Sequence, residues 1–159
     1  MIHMGHPVPN YRLPLLTQGT LRIVDTRYFQ GQWIALCFTG HLTVEQASFL
    51  DSQVGAVREE DTSLLAVSWD RDLLLSSFMG RLGHLQLPIL VDTLRRLHRA
   101  YHLSVAAVRA HAQTFVIDPQ GALRFHLMHE LTYRGLRAVR NVVSAKRLLI
   151  GGSACLVRA

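Results

Sequence analysis

Cysteine is scarce in this chain. Only Cys37 and Cys155 occur in 159 residues. Two thiols cannot build a disulfide framework, so a reducing, cytoplasmic compartment is the expectation. Lysine is nearly absent as well: Lys146 is the single lysine among 17 basic residues, a skew that GC-rich coding produces without any functional cause. No apolar run reaches the length of a membrane span. Met1–Pro9 lacks the basic-then-apolar pattern of a secretory signal. Internal repeats, low-complexity tracts and interdomain linkers are also missing. The expectation is one domain over residues 1–147, followed by an apolar tail over 148–159.

What is present excludes a disordered chain, since hydrophobic residues make up 49% and charged residues 18%. Acidic residues number 11, which leaves a formal charge of +6 and favours an acidic partner. The basic residues are nevertheless spread along the chain, and only the C-terminal part gathers them.

The organising stretch is Thr39–Phe49, T-G-H-L-T-V-E-Q-A-S-F. It follows the apolar run Trp33–Phe38, which reads as a buried strand. It opens a helix reaching about Glu60, with Val44, Ala47, Leu50, Val54 and Val57 at helical spacing. Free N–H groups and the positive dipole end meet at such a junction, and a cysteine in that first turn would be a strong nucleophile. The chain instead has Thr43 and, three residues on, Gln46. T-x-x-Q is a capping box, built for stability.

Along the rest of the chain, Gly5–Leu13 reads as a proline-fixed extended lead-in and Thr20–Asp25 as a short strand. Thr62–Trp69 is a second buried strand. Asp70–Leu82 is a predicted helix with Leu74 and Phe78 inward. Pro88–Asp92 is extended, and Thr93–Tyr101 is a predicted helix with Leu94, Leu97 and Tyr101 on one face. Thr114–Ile117 and Leu123–Leu127 flank Asp118-Pro119-Gln120-Gly121, which is turn chemistry and makes a β-hairpin. Tyr133–Arg147 is the last helix. A βαβ crossover followed by a hairpin gives an α/β fold with a mixed sheet and helices on both faces.

Taken in order, these segments resemble a peroxiredoxin of the alkyl hydroperoxide reductase C / thiol-specific antioxidant family. Gly5–Leu13 is similar to G-x-x-A-P-x-F-x-L, Phe29–Phe38 to the G-K-W-V-V-L-F-F strand, and Ala66–Asp70 to V-G-V-S-x-D. Leu87–Asp92 is similar to F-P-L-L-S-D, and Phe115–Gly121 fits F-x-I-D-x-x-G. The resemblance runs almost end to end and implies a thioredoxin-like fold. It also implies an active site P-x-x-x-T-x-x-C, with an arginine three residues before the hairpin phenylalanine. In such a site the cysteine attacks the peroxide O–O bond, threonine and arginine hold peroxide and thiolate, and proline shields the pocket. Laid on this chain, those positions are Thr39, Thr43, Gln46 and Ala112, so only the threonine is kept. An amide cannot serve as the thiolate, and the missing cation removes the charge that would hold one. The expectation is a degenerate member, without the standard peroxidatic mechanism, that acts by binding a protein partner or a pocket ligand.

Two other chemistries compete with this reading. A displaced thiol, Cys37 or Cys155, could support peroxidase or oxidoreductase activity, although Cys37 lies in the central strand, where a small buried residue is the ordinary role. Nine histidines raise metal or haem binding, with His98 and His102 four apart on an expected helix, yet no carboxylate or cysteine completes a diagnostic ligand spacing. No cofactor is implied. For partners, the expectation is a homodimer or a hetero-partner protein, with Arg134, Arg137 and Arg140, joined by Lys146 and Arg147, as a docking face. No aromatic residues interleave with these arginines to stack bases, so nucleic acid is not expected.

Overall fold

The computed structural model describes residues 2–149 and 155–158. Its strands are β1 (Arg12–Thr17), β2 (Thr20–Asp25), β3 (Trp33–Gly40), β4 (Thr62–Ser68), β5 (Ile89–Val91), β6 (Ala112–Ile117), β7 (Leu123–His129) and β8 (Cys155–Arg158). Helices are α1 (Val44–Glu59), α2 (Ser76–Leu82), α3 (Arg96–Ala100), α4 (Val105–Ala110) and α5 (Tyr133–Leu149). The strands form one mixed sheet in the order β2-β1-β5-β4-β3-β6-β7-β8. β3 runs parallel to β4 and antiparallel to β6, so the central strand is buried along its whole length.

Alternation along the sheet divides the core in two. Ala35, Cys37, Leu64, Ala66, Val116 and Phe125 face α1 and α5, meeting Leu50, Val54, Leu136 and Val139. Ile34, Leu36, Phe38, Leu65, Val67 and Phe115 face the other way, toward Leu97 of α3 and Val108 of α4. Helices therefore cover both faces, and the thioredoxin-like α/β arrangement read from the sequence is the one the chain adopts. Among the described residues no helix is long and apolar enough to cross a membrane.

The elements carried by local chemistry match their expected bounds closely. Thr43 caps α1: its hydroxyl accepts the Gln46 amide at 3.1 Å, and the Gln46 side chain accepts the Thr43 amide at 3.0 Å, completing the box. In the β6–β7 turn, the Asp118 carbonyl accepts the Gly121 amide and its carboxylate accepts those of Gln120 and Ala122.

Elsewhere tertiary contacts override the pattern. Asp70–Leu82 is not one helix. A 3-10 turn over Arg71–Leu74 and α2 are separated by an extended Leu75, so Leu73 is buried while Leu74 is exposed. Thr93–Tyr101 contracts to the five residues of α3, because Asp92 draws the Leu97 and His98 amides onto its carboxylate and Arg95 takes a left-handed conformation. Leu94 is accordingly 55% exposed and not on a buried face. Residues 14–17 continue the lead-in as β1, and α4 and β8 arise where no element was expected. Leu148 and Leu149, read as the start of the tail, complete α5. Cys155–Arg158 of that tail pairs parallel to β7.

Candidate functional site

The site lies where β3 ends. Register shifts between Phe38 and Gly40, and Gly40 takes φ +68°. A side chain at Gly40 would meet the Trp69 ring at 2.8 Å and Val108 at 3.0 Å, so glycine is required for this close approach. The Gly40 carbonyl is held by the Ser68 hydroxyl at 2.7 Å and the Trp69 amide at 2.9 Å. The kink turns the chain into α1 and leaves Thr39 lining a cleft of about 240 Å³ that opens to solvent.

Thr39, Gln46 and Ala112 line this cleft together. Thr43 is not part of its wall; it acts through Gln46, which it fixes. The remaining walls are Val108, Arg109 and Ala110 from the end of α4, His111, Glu130, Leu131 and His41. His41 Nδ1 lies 3.5 Å from Asp70, and His111 Nδ1 lies 3.0 Å from Glu130. Both pairs are solvent-exposed enough to contribute little stability. The cleft thus offers two uncommitted donors, the Gln46 amide nitrogen and the Arg109 guanidinium, beside two imidazoles whose Nδ1 faces a carboxylate and the Glu130 carboxylate itself. Among the described residues Arg109 has no ion-pair partner, and it supplies a cation three residues before the position where the aligned arginine is replaced by alanine. The sequence pattern did not single out Arg109, because α4 is a six-residue helix whose one legible signal is the Ser104 cap, whose hydroxyl accepts the Ala107 amide at 3.1 Å.

Cys37 is elsewhere. It points into the core beneath α1 and α5 with no exposure, and burial pushes its thiol up to about 11. Its neighbour across the sheet is Thr114, whose hydroxyl lies 2.6 Å from His129 Nε2. His129 Nδ1 donates to the Glu130 carbonyl at 2.9 Å, so Nε2 accepts from Thr114. The Thr114 proton is therefore committed to the histidine, and only its lone pairs remain for the Cys37 S–H. This order favours the protonated thiol. The backbone of Cys155 pairs with Phe125.

His98 and His102 do not share a helix face. α3 ends at Ala100, and His102 follows in a left-handed conformation with its side chain in solvent. His98 is buried and donates from Nδ1 to Asp92 at 2.8 Å. No group of three His, Cys, Asp or Glu residues suited to a metal occurs among the described residues. The basic face of α5 is narrower than the sequence suggests. Lys146 turns inward, donating to the Glu60 and Val143 carbonyls and lying over the Trp33 ring at 5.4 Å. Arg147 pairs with Asp61 at 2.9 Å. Arg137 and Arg140 border a groove that also holds Glu59 and Glu60, and Arg140 is half-buried with its Nε unpartnered among the described groups. Arg134 lies apart from that groove, exposed near Glu130 and Thr132.

Residues 4–126 match the AhpC/TSA family. The chain belongs to that family. It is 29% identical to a thioredoxin peroxidase of Trypanosoma brucei rhodesiense over 92% of this chain and 77% of the relative. It is 27% identical to peroxiredoxin-2 of Bos taurus over the same shares. Among solved structures it superimposes on AhpC of Enterococcus faecalis with a TM-score of 0.75 at 15% identity, covering 98% of this chain and 99% of that one. Against the reduced 2-Cys peroxiredoxin of Plasmodium vivax the TM-score is 0.74 at 16% identity, covering 94% and 99%. The fold and the peroxiredoxin family membership read from the sequence therefore stand.

A second histidine of this family member gives a pH prediction. His126 stacks on Phe115 with ring centroids 4.1 Å apart and donates from Nε2 to Gln113 at 2.6 Å. Burial lowers its pKa to about 4, and burial also lowers that of His129. The folded state then binds fewer protons than the unfolded chain below pH 6.5. Stability is fully present above that pH and falls as the pH drops toward about 4. Because His126 is only partly buried, its share is expected to be about 2 kcal/mol. Urea unfolding between neutral pH and pH 4 measures the decline, and His126→Leu is expected to flatten it.

Proposed function

We propose that this peroxiredoxin-family protein does not run thiolate chemistry in its ancestral pocket and acts by binding there, taking a small polar ligand or a side chain of a partner protein. The observation that carries the proposal is the composition of the cleft. Its lining holds Thr39, Gln46 and Ala112 at the positions where the family pattern has a shielding proline, a nucleophile and a cation. Gln46 is engaged on both sides of the capping box. A thiolate at this turn would be stabilised by the helix N-terminus, whereas a carboxamide has no electron pair suited to attack on an O–O bond. The donors that remain, the Gln46 amide nitrogen and the Arg109 guanidinium, can bind an acceptor-rich group without reacting with it. The Arg134, Arg137 and Arg140 side of α5 is a second docking candidate for an acidic partner, and reduced cytoplasm is the compartment that suits free thiols.

Thiol alkylation of the folded protein tests this reading. With iodoacetamide and mass readout, Cys37 is expected to stay unmodified at neutral pH until the protein is unfolded, and Cys155 to react at the rate of an ordinary thiol. Rapid, peroxide-sensitive modification of either thiol at neutral pH contradicts the reading and favours a thiol-dependent peroxidase.

A further inference from the structure

A narrow apolar cavity lies on the face of the sheet opposite Cys37 and shares no residue with the cleft. Leu36 of β3, Leu65 of β4, Leu90 of β5 and Leu97 of α3 line it together with Tyr101. Its exposed end is formed by Pro9, Asn10, Thr26 and Gln30. The chain's lead-in is tied down there: the Val8 amide donates to the Gly121 carbonyl at 3.0 Å, and the Thr26 hydroxyl donates to Asn10 Oδ1 at 3.0 Å. Tyr101 is 3% exposed, with its ring against Phe38 at 4.9 Å and Phe115 at 4.8 Å between centroids. Among the described residues its hydroxyl has no hydrogen-bond partner, and burial alone acts on its ionisation, raising the pKa. A buried donor without an acceptor is costly and calls for an explanation. The hydroxyl is not sealed from solvent as His98 Nε2 is, and the space that reaches Tyr101 is this cavity.

We propose that this cavity binds an uncharged, unbranched aliphatic carbonyl compound whose oxygen accepts a hydrogen bond from the Tyr101 hydroxyl. No charged side chain lines the cavity, so an ionised headgroup finds no counter-charge there. The cavity holds about 30 Å³, whereas an apolar cavity that accepts benzene measures about 150 Å³. A ring or a branched body is therefore excluded. The space suits the narrow end of a chain whose remainder leaves between Asn10 and Gln30. Water is a poor occupant, because it needs about two to four polar partners. Tyr101 is the one fully buried polar side chain on offer, since Asn10 and Thr26 are bonded to each other. A carbonyl oxygen is satisfied by that single donor, and its methylenes gain from burial against the leucines. The proposal stands apart from the reading of the cleft, and neither depends on the other.

Methyl NMR of the protein titrated with 2-pentanone tests the site, with n-pentane as the counterpart that lacks an acceptor. The expected result is saturable shifts of the Leu36, Leu65, Leu90 and Leu97 methyls. Tyr101→Phe keeps the ring, so it is expected to melt at or above the temperature of the unaltered chain. It is also expected to bind 2-pentanone about fivefold more weakly and n-pentane as before. No shift of these methyls at any concentration of 2-pentanone overturns the proposal. So does 2-pentanone binding that ignores Tyr101→Phe, or n-pentane binding weakened as much, since either result leaves a packing void only. A melting temperature lowered by Tyr101→Phe overturns it too, because the hydroxyl then already has a partner.

Discussion

Asp92→Ala is expected to lose about 3–5 kcal/mol of stability, the largest effect of any single polar substitution in this chain. Asp92 has no exposure, and its carboxylate accepts three bonds: from the Leu97 amide at 3.2 Å, the His98 amide at 2.9 Å and His98 Nδ1 at 2.8 Å. Alanine leaves all three donors buried without an acceptor, at about 1–3 kcal/mol for each, less than additively. The consequences spread through packing. His98 contacts Phe38 with ring centroids 5.0 Å apart and Trp69 at 4.8 Å, and Trp69 is the residue against which Gly40 turns into the cleft. Burial acts to raise the pKa of Asp92, but the bonds from His98 and Leu97 outweigh it and hold the pKa below the carboxylate norm. Its contribution is therefore present above about pH 4 and is lost as the pH falls through the lowered value. Thermal unfolding checks the substitution: a drop of about 10 °C is expected at neutral pH, with Asp92→Asn milder because its carbonyl keeps one acceptor.

The second large effect is a gain. Gln46→Cys combined with Ala112→Arg is expected to create peroxide turnover on the order of 100-fold or more above the unaltered chain. Position 46 is the third residue of α1, where the helix terminus lowers a thiol pKa into the range of about 3.5–7.5. Position 112 lines the same cleft, which opens to solvent. Loss of the Gln46 half of the capping box costs about 1 kcal/mol, which the fold tolerates. Consumption of hydrogen peroxide with dithiothreitol measures the outcome, and Gln46→Ser with Ala112→Arg is expected to stay inactive. An inactive cysteine variant that folds normally would show that more of the site than these two residues has changed.

The parts of the fold set by neighbouring residues were legible in the sequence. Thr43 and Gln46 marked the start of α1, the apolar run from Trp33 marked the central strand, and Asp118–Gly121 marked the hairpin. Elements that depend on distant partners were not. The start of α3 is set by Asp92 through its buried carboxylate, which shortened the expected helix and separated His102 from His98. β1 begins within the stretch read as an extended lead-in and runs past its expected end at Leu13, because its partners β2 and β5 hold it in the sheet. In the site, Thr39, Gln46 and Ala112 could be placed by alignment order, whereas Arg109, His111 and Glu130 come together only when α4 folds back on β3. Likewise, Lys146 read as a surface cation, and its inward turn requires the Glu60 carbonyl from the end of α1.

The most direct measurement of the central claim is steady-state consumption of hydrogen peroxide and cumene hydroperoxide by the purified protein with dithiothreitol or thioredoxin, run beside Cys37→Ser and Cys155→Ser. Rates at background for all three proteins are the expected result, and they leave the cleft as a binding site. Turnover by the unaltered chain that disappears with one of the two serine substitutions would contradict the account and place the chemistry on that thiol.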